Sequence, residues 1–542
     1  MTVIHQTDKR SGITYAYEAT YKWDKEKKQS RAKRTLIGRV DPKTREVTPT
    51  DGRMKKGVRE ENQRGSTKPG PVPMTKIQRS FYGATYLLDR IGDLTGVETD
   101  LKSCFPYTYR KILSIAYFLI LEDSNALSRF PHWQKLHIHP YGEDIPSQRS
   151  SELFQSIDEA ERMAFFEKQG RRRIEREYWA FDITTISSYS EVLKQVKNGV
   201  NKEHDRLPQI NLALLFGEQS GLPFYYRKLP GNITDVKTVK QLMHEFDVMG
   251  YRKVNVILDR GFYSKNNIDA LYKNHQKFVI GVKLSLKYVK AILEEEHENL
   301  KHWSLLQTQF GAYGICRTIE WEYEQERPYK GDVLQEKRRA YLLLFFDPEK
   351  AARDLVEANE YLTKLYNDLV HGDLKDYRTK DYSKYFSVKE TPKRGRKVEP
   401  KAEVMDELNK NHGYFALLSN EVKDPYEALS LYRSKEIVEK AFGNLKERLN
   451  FRRMQVSSEL SLNGKLFVEF IALIYLSFLK KAMLDAKLFD QWTMQGLLDD
   501  LDTIELFEAP GHGRVLGEIT DKQAKLFTVL GLEPPSSCVL GK

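Results

Sequence analysis

Cysteine is scarce in this 542-residue chain. Cys104, Cys316 and Cys538 stand far apart with no paired spacing. That excludes a disulfide framework and a sequence-readable zinc cluster, and it points to a reducing cytosol. An apolar signal core is also missing, since Met1 to Arg10 is polar. No internal repeat is visible. No long uninterrupted apolar run exists either: the longest, Leu466 to Leu479, is broken by Glu469 and reads as a buried helix rather than a membrane span. Strong charge asymmetry is lacking too. Lys plus Arg number 87 against 76 Asp plus Glu, a formal net charge of +11. This excess admits a polyanionic partner without demanding one.

Apolar residues make up 40% of the chain and aromatics 11%. That is enough for several packed cores, and at roughly 100–200 residues per domain the length predicts three or four units. Residues 1–63 form a basic, β-rich module. Its strand-like stretches are joined by a segment carrying Lys22, Lys25, Lys27, Lys28, Arg31, Lys33 and Arg34, interleaved with Tyr15, Tyr17, Tyr21 and Trp23. Such a hairpin can follow a phosphate backbone and stack on bases; a solvated hairpin with core aromatics reads equally well. Residues 64–73 form a Pro/Gly linker, and 74–173 carry helical periodicity.

From residue 174 to 290 the pattern is three strands, a helix capped by Thr234, a strand, a helix and a strand. It suits an α/β sheet with an antiparallel meander and parallel additions. Residues 291–411 read as an insertion, richer in helix than strand, ending in a basic run from Lys389 to Lys401. Residues 412–480 supply a strand, one long helix from Asp424 to Asn450, and the apolar helix. No assignment is made for 481–542.

Three acids stand out. Asp182 lies in the apolar strand YWAFDITTIS, where an unpaired carboxylate is costly; its ordinary alternative is a turn cap through Thr184 or Thr185. Asp259 ends the strand VNVILD, the edge at which open α/β sheets place ligands. It is followed by Arg260, which can pair with it or with phosphate. Tyr432, Glu439 and Lys446 are spaced by sevens. At about 100° per residue, seven residues return to within about 20° of the start, so one helix presents all three on a single stripe with Lys435 at its edge. Hard carboxylate oxygens in such a set are the ligands Mg²⁺ uses for phosphoryl transfer.

The series Tyr432-x2-Lys435-x3-Glu439-x6-Lys446 resembles the Tyr-x2-Arg-x3-Glu-x6-Lys signature of a large group of bacterial insertion-sequence DDE transposases. Asp182 in FDIT and Asp259 in LDRGFYS are similar to that group's first two acidic motifs, and GNITD at 231–235 to its intervening segment. The departure is Lys435 in place of Arg, which keeps charge but loses a planar bidentate contact. The resemblance implies an RNase H-like α/β mixed-sheet core, 174–290 plus 412–480, interrupted by the insertion before the glutamate helix. It implies N-terminal β and helical DNA-binding regions and a DNA-cutting and DNA-joining enzyme. Asp182, Asp259 and Glu439 would be its catalytic, metal-binding carboxylates, with Mg²⁺ as cofactor and Mn²⁺ able to substitute. Tyr432, Lys435, Lys446, Arg260, Lys27, Lys28, Arg31, Lys33 and Arg34 would contact DNA. The partners would be double-stranded transposon ends and target DNA, bound by a homodimer in the bacterial cytosol, with no membrane. A nuclease on the same core and a catalytically silent DNA-binding protein are the alternatives.

Overall fold

The computed structural model describes residues 2–24, 28–49, 77–122, 126–173, 177–188, 193–199, 207–233, 235–251, 254–326, 333–391, 395–443, 446, 449, 453–454, 458–509 and 513–536. The expected 64–73 linker, Lys27 and the Thr234 cap lie outside them. The chain forms two compact units, residues 1–78 with 508–514, and residues 79–507 with 515–542.

The first unit is an antiparallel sheet in the order β1 (Thr2–Thr7), β2 (Thr14–Asp24), β3 (Gln29–Val40) and β4 (Val47–Pro49). In the β2–β3 register Tyr21 faces Ala32 and Trp23 faces Ser30, while Lys22 faces Arg31 and Thr20 faces Lys33. Because side chains alternate across a strand, Lys22, Arg31 and Lys33 lie on the face opposite Tyr21 and Trp23, while Arg34, opposite Ala19, shares the aromatic face. Tyr21 and Trp23 remain 59% and 61% exposed. Arg34 donates to Gln6 Oε1.

The second unit starts with a short strand, β5 (Gln78–Phe81), and a helical stretch of α1 (Gly83–Thr95), α2 (Val97–Cys104), α3 (Tyr109–Leu121), α4 (Phe130–Trp133), α5 (Ser147–Ser156) and α6 (Glu159–Arg171). Then follow β6 (Trp179–Ser188), β7 (Gln209–Gly217), β8 (Pro223–Pro230), α7 (Asp235–Val248), β9 (Asn255–Leu258), α8 (Lys265–Lys273) and β10 (Lys277–Val282). These match the strand and helix order expected from the sequence. β6, β7 and β8 form an antiparallel meander, and β9 adds to β6 and β10 to β9 in parallel. Every residue of β7 is buried, as expected for a strand covered on both faces.

The interval after β10 contains α9 (Lys287–Glu296), β11 (Leu306–Gln307), β12 (Ala312–Glu326), β13 (Val333–Phe346), α10 (Pro348–His371), α11 (Thr379–Tyr385), β14 (Phe386–Thr391), β15 (Gly395–Pro400) and α12 (Ala402–Lys410). Helix outweighs strand in it, as the sequence suggests. β12 and β13 pair over 14 residues each, and β13 joins β16 (Tyr414–Ser419), which itself pairs with β10. One mixed sheet therefore runs β11-β12-β13-β16-β10-β9-β6-β7-β8. It takes strands from both expected core parts and from the interval between them. The β14–β15 hairpin with α10–α12 packs instead around its own small core of Leu365, Leu369, Tyr382, Tyr385 and Phe386.

After β16 come α13 (Pro425–Ser434), α14 (Glu436–Gly443), β17 (Arg453–Met454) and α15 (Glu459–Asp485). The single helix expected from Asp424 to Asn450 is broken at Lys435. The Lys435 N–H reaches back three residues to Tyr432 O at 3.3 Å, a tightened turn that ends α13. α13 starts cleanly, since Asp424 caps the N–H groups of Tyr426 and Glu427 and Pro425 takes the first helical position.

α15 is long and apolar enough to cross a membrane by length and composition, yet 83% of its most apolar window is buried in the protein. Burial pushes the Glu469 carboxyl up to about 8, with Lys465 at 3.6 Å opposing, so at neutral pH the interrupting acid is largely uncharged. α15 packs so closely on α5 that a Cβ at Gly464 would lie 2.0 Å from Phe154 O, which only glycine permits. Gly464→Ala is expected to lower stability by about 1–3 kcal/mol through forced separation of the helices. Its denaturant midpoint should shift accordingly, and an unshifted midpoint would contradict this packing.

Candidate active site

The parallel register of β6 and β9 pairs Trp179 with Val256, Ala180 with Ile257 and Phe181 with Leu258. Asp182 and Asp259 are the next residue on each strand. Asp259 still has extended dihedrals, φ −72 and ψ 161, so the strand direction persists through it. The two acids thus follow directly on the last paired residues of neighbouring strands. Trp179 packs on Phe246 of α7 and Phe181 on Phe262. Alternation along the strand therefore sends Asp182 to the opposite face. Asp182 sits mid-strand opposite Leu214 rather than at a turn. Its Oδ1 accepts from the Ile183 N–H at 2.7 Å.

Asp259 is the better connected acid. Its Oδ1 accepts from the Tyr432 hydroxyl at 2.7 Å and from Lys435 Nζ at 2.6 Å. Burial acts to raise its pKa, but the Lys435 hydrogen bond and charge, helped by Tyr432 and the Arg260 N–H, outweigh it and hold the carboxyl at about 2. The same ammonium lies 3.7 Å from Glu439 Oε1 and 4.9 Å above the Tyr432 ring. Burial, then the Asp259 charge, pushes the Tyr432 hydroxyl far up, so it stays a donor.

Tyr432 and Lys435, expected on DNA phosphates, are thus found on the second carboxylate. Glu439, in the first turn of α14, is 58% exposed and connected to Asp259 through Lys435. α14 packs against β6 and β7, and α13 against β9 and β10, so the helix break lies over the strands that carry both aspartates. Lys446 has π-helical backbone three residues past Gly443, the last residue of α14. Arg260 opens a single turn, Arg260–Phe262, and is exposed. Among the described residues the ion pair on Asp259 comes from Lys435. The expected N-terminal contacts Lys28, Arg31, Lys33 and Arg34 belong to the first unit.

Gly281 was not singled out in the sequence. A Cβ there would lie 2.6 Å from the Tyr432 hydroxyl and 3.1 Å from the Arg260 nitrogen. A glycine inside the otherwise apolar strand KFVIGV is the signal that marks such a close approach.

Among the described residues no group of three or more His, Cys, Asp or Glu side chains lies close enough together to hold a metal ion. The ammonium of Lys435 lies between Asp259 and Glu439.

The family model described as "Transposase DDE domain" matches residues 175–475, more than half of the chain. The chain belongs to this DDE transposase family. The matched range contains all three acids and the whole of Tyr432 to Lys446. A solved structure, "Cryo-EM structure of piggyBac transposase synaptic complex with hairpin DNA (SNHP)", is similar at a TM-score of 0.31 and 11% identity, over 76% of this chain and 70% of that one. No curated protein matches the chain.

The Lys435–Asp259 bond has a pH signature. The depressed Asp259 pKa contributes stability that is fully present above the ordinary carboxylate value of 3.8 and fades as pH falls toward about 2. Lys435→Met should lose most of this contribution, leaving only the Tyr432 and Arg260 N–H hydrogen bonds to oppose burial. Thermal melts from pH 6 to pH 2 should show a smaller acid-dependent fall in the variant than in the native chain. Identical profiles would contradict the pairing.

Proposed function

We propose that this transposase cuts DNA at transposon ends and joins the freed 3′ hydroxyls to target DNA, using Asp182, Asp259 and Glu439 as its catalytic carboxylates. The observation that carries this reading is the adjacency of Asp182 and Asp259 on parallel strands, with the Glu439 helix packed over them. The set suits a pair of divalent cations. All donors are hard carboxylate oxygens, Asp259 is held ionised, and a cationic group already bonds it beside Glu439. Bound Mg²⁺, or Mn²⁺ in its place, would activate the attacking oxygen and stabilise the leaving one.

The chain's own residues supply position and charge. Tyr432 and Lys435 aim and ionise Asp259. Exposed Arg260, with Lys446 beyond α14, would hold backbone phosphates beside the scissile bond. The β2–β3 ribbon, with Lys28, Arg31, Lys33 and Arg34, would grip the phosphates of duplex DNA, with exposed Tyr21 and Trp23 available to stack. We further assign the core to the RNase H-like class and the chain to the bacterial insertion-sequence group whose signature it resembles. It would act in the cytosol as a dimer on paired ends.

Asp182→Asn, Asp259→Asn and Glu439→Gln should each reduce Mg²⁺-dependent cleavage and strand transfer of a labelled terminal-repeat duplex by at least about 10³-fold while leaving DNA affinity within a few-fold, since pairs of bound metals supply several kcal/mol of barrier lowering. Native-like rates in any one variant would remove that residue from the site. Cleavage without joining in the native chain would favour a nuclease instead.

A further inference from the structure

Helix α10 has two arcs without charge, and only one of them is used inside the protein. At about 100° per residue, Leu365 and Leu369 fall together, and they pack into the small core with Tyr382, Tyr385 and Phe386. The charged residues Arg353, Glu357, Glu360 and Lys364 fall on another arc and are exposed. A third arc, about 80° wide, carries Ala352, Val356, Asn359, Thr363, Tyr366 and Val370. All six are exposed, Val356 at 57%, Val370 at 46% and Tyr366 at 42%. The solvent face of an amphipathic helix is ordinarily charged, so this arc has the composition of a surface that meets protein.

The arc also matches itself. Its spacing runs 4-3-4-3-4, which reads the same from either end. Two copies of α10 laid antiparallel about a two-fold axis at the level of Tyr361 place Asn359 against Thr363, Val356 against Tyr366 and Ala352 against Val370, each pair twice. Polar meets polar at the centre, and apolar meets apolar on both sides of it. The Thr363 hydroxyl already donates to the Asn359 backbone O at 2.7 Å, which leaves its lone pairs for the Asn359 amide of the second copy. No Lys or Arg lies on the arc, so a DNA backbone is a poor occupant.

We infer that this face of α10 is an interface with a second copy of the chain. The arc is about 27 Å long and the helix about 10 Å across, so each copy buries roughly 300 Å². A standard interface buries about 800 Å² per partner. The contact is therefore weak alone and acts between copies already held close together, where effective concentration is high. It gives the dimer of the transposase reading a contact surface, and rests on that reading only for the DNA that holds the copies together.

The test is disulfide trapping of the full chain without DNA, which captures weak contacts. Val356→Cys with Tyr366→Cys should yield a covalent dimer on oxidation, seen on a non-reducing gel. These positions are ten residues apart on one rigid helix, so they cannot bridge within a chain. Glu357→Cys with Lys364→Cys, on the charged arc, should yield no more dimer than the native chain. Added to the first pair, Ala352→Glu with Val370→Glu opposes like charges across the axis and should slow trapping about tenfold. Ala352→Glu with Val370→Lys opposes unlike charges at the same positions and should restore it. Equal trapping on both arcs, or none above the native chain, overturns the interface. Trapping that is indifferent to the charge swap overturns the antiparallel pairing. Neither result touches the catalytic reading, which stands or falls on Mg²⁺-dependent cleavage.

Discussion

The parallel pairing of β6 with β9 is the constraint on which the rest of the site depends. Residues 182 and 259 are far apart in sequence, and neither strand alone makes a site. Once Phe181 is in register with Leu258, the next residue on each strand is an aspartate. Carboxylates at neighbouring strand positions call for compensating donors or cations. The protein meets part of that need with Lys435, whose ammonium bonds Asp259 and approaches Glu439. Its partial burial makes this interaction stronger than an ordinary surface pair.

The break between α13 and α14 belongs to the same arrangement. An unbroken helix would carry Lys435 past the strand ends on a regular stripe. The tightened turn at Tyr432–Lys435 lets both side chains converge on one oxygen of Asp259, while α14 proceeds across β6 and β7. Gly281 makes room for the Tyr432 hydroxyl against the Arg260 backbone. Fold and site are coupled here, because a small residue on β10 sets how near a helix-borne tyrosine can come to a strand-borne acid.

Much of this was legible in the sequence, and the boundary has physical causes. The apolar strands β6 to β10 and their order could be read because buried strands and an amphipathic α7 leave local periodic signals. Asp259 was legible as a strand-end acid. The burial of α15 was legible from its length and its single interrupting glutamate, although its neutralisation depends on surroundings that no local pattern carries. The break at Lys435 was not legible, since Arg433-Ser434-Lys435-Glu436 has ordinary helix propensity and the bonds of Tyr432 and Lys435 to Asp259 are long-range. Nor was the extension of the sheet by β12 and β13, because that pairing joins segments over a hundred residues from β6. Residues 488–536, left unassigned in the sequence, form short elements that include α16 (Met494–Asp502), whose leucines pack into the main core.

The proposal to test is that Asp182, Asp259 and Glu439 form one cation site beside Lys435. A crystal of the full chain soaked in Mn²⁺ with transposon-end DNA tests it most directly, through the anomalous scattering of manganese. The predicted result is anomalous density between the Asp182 and Asp259 carboxylates, with Glu439 turned toward it and Lys435 withdrawn from Asp259. Manganese bound elsewhere, with the Lys435–Asp259 bond intact and DNA in place, would contradict it.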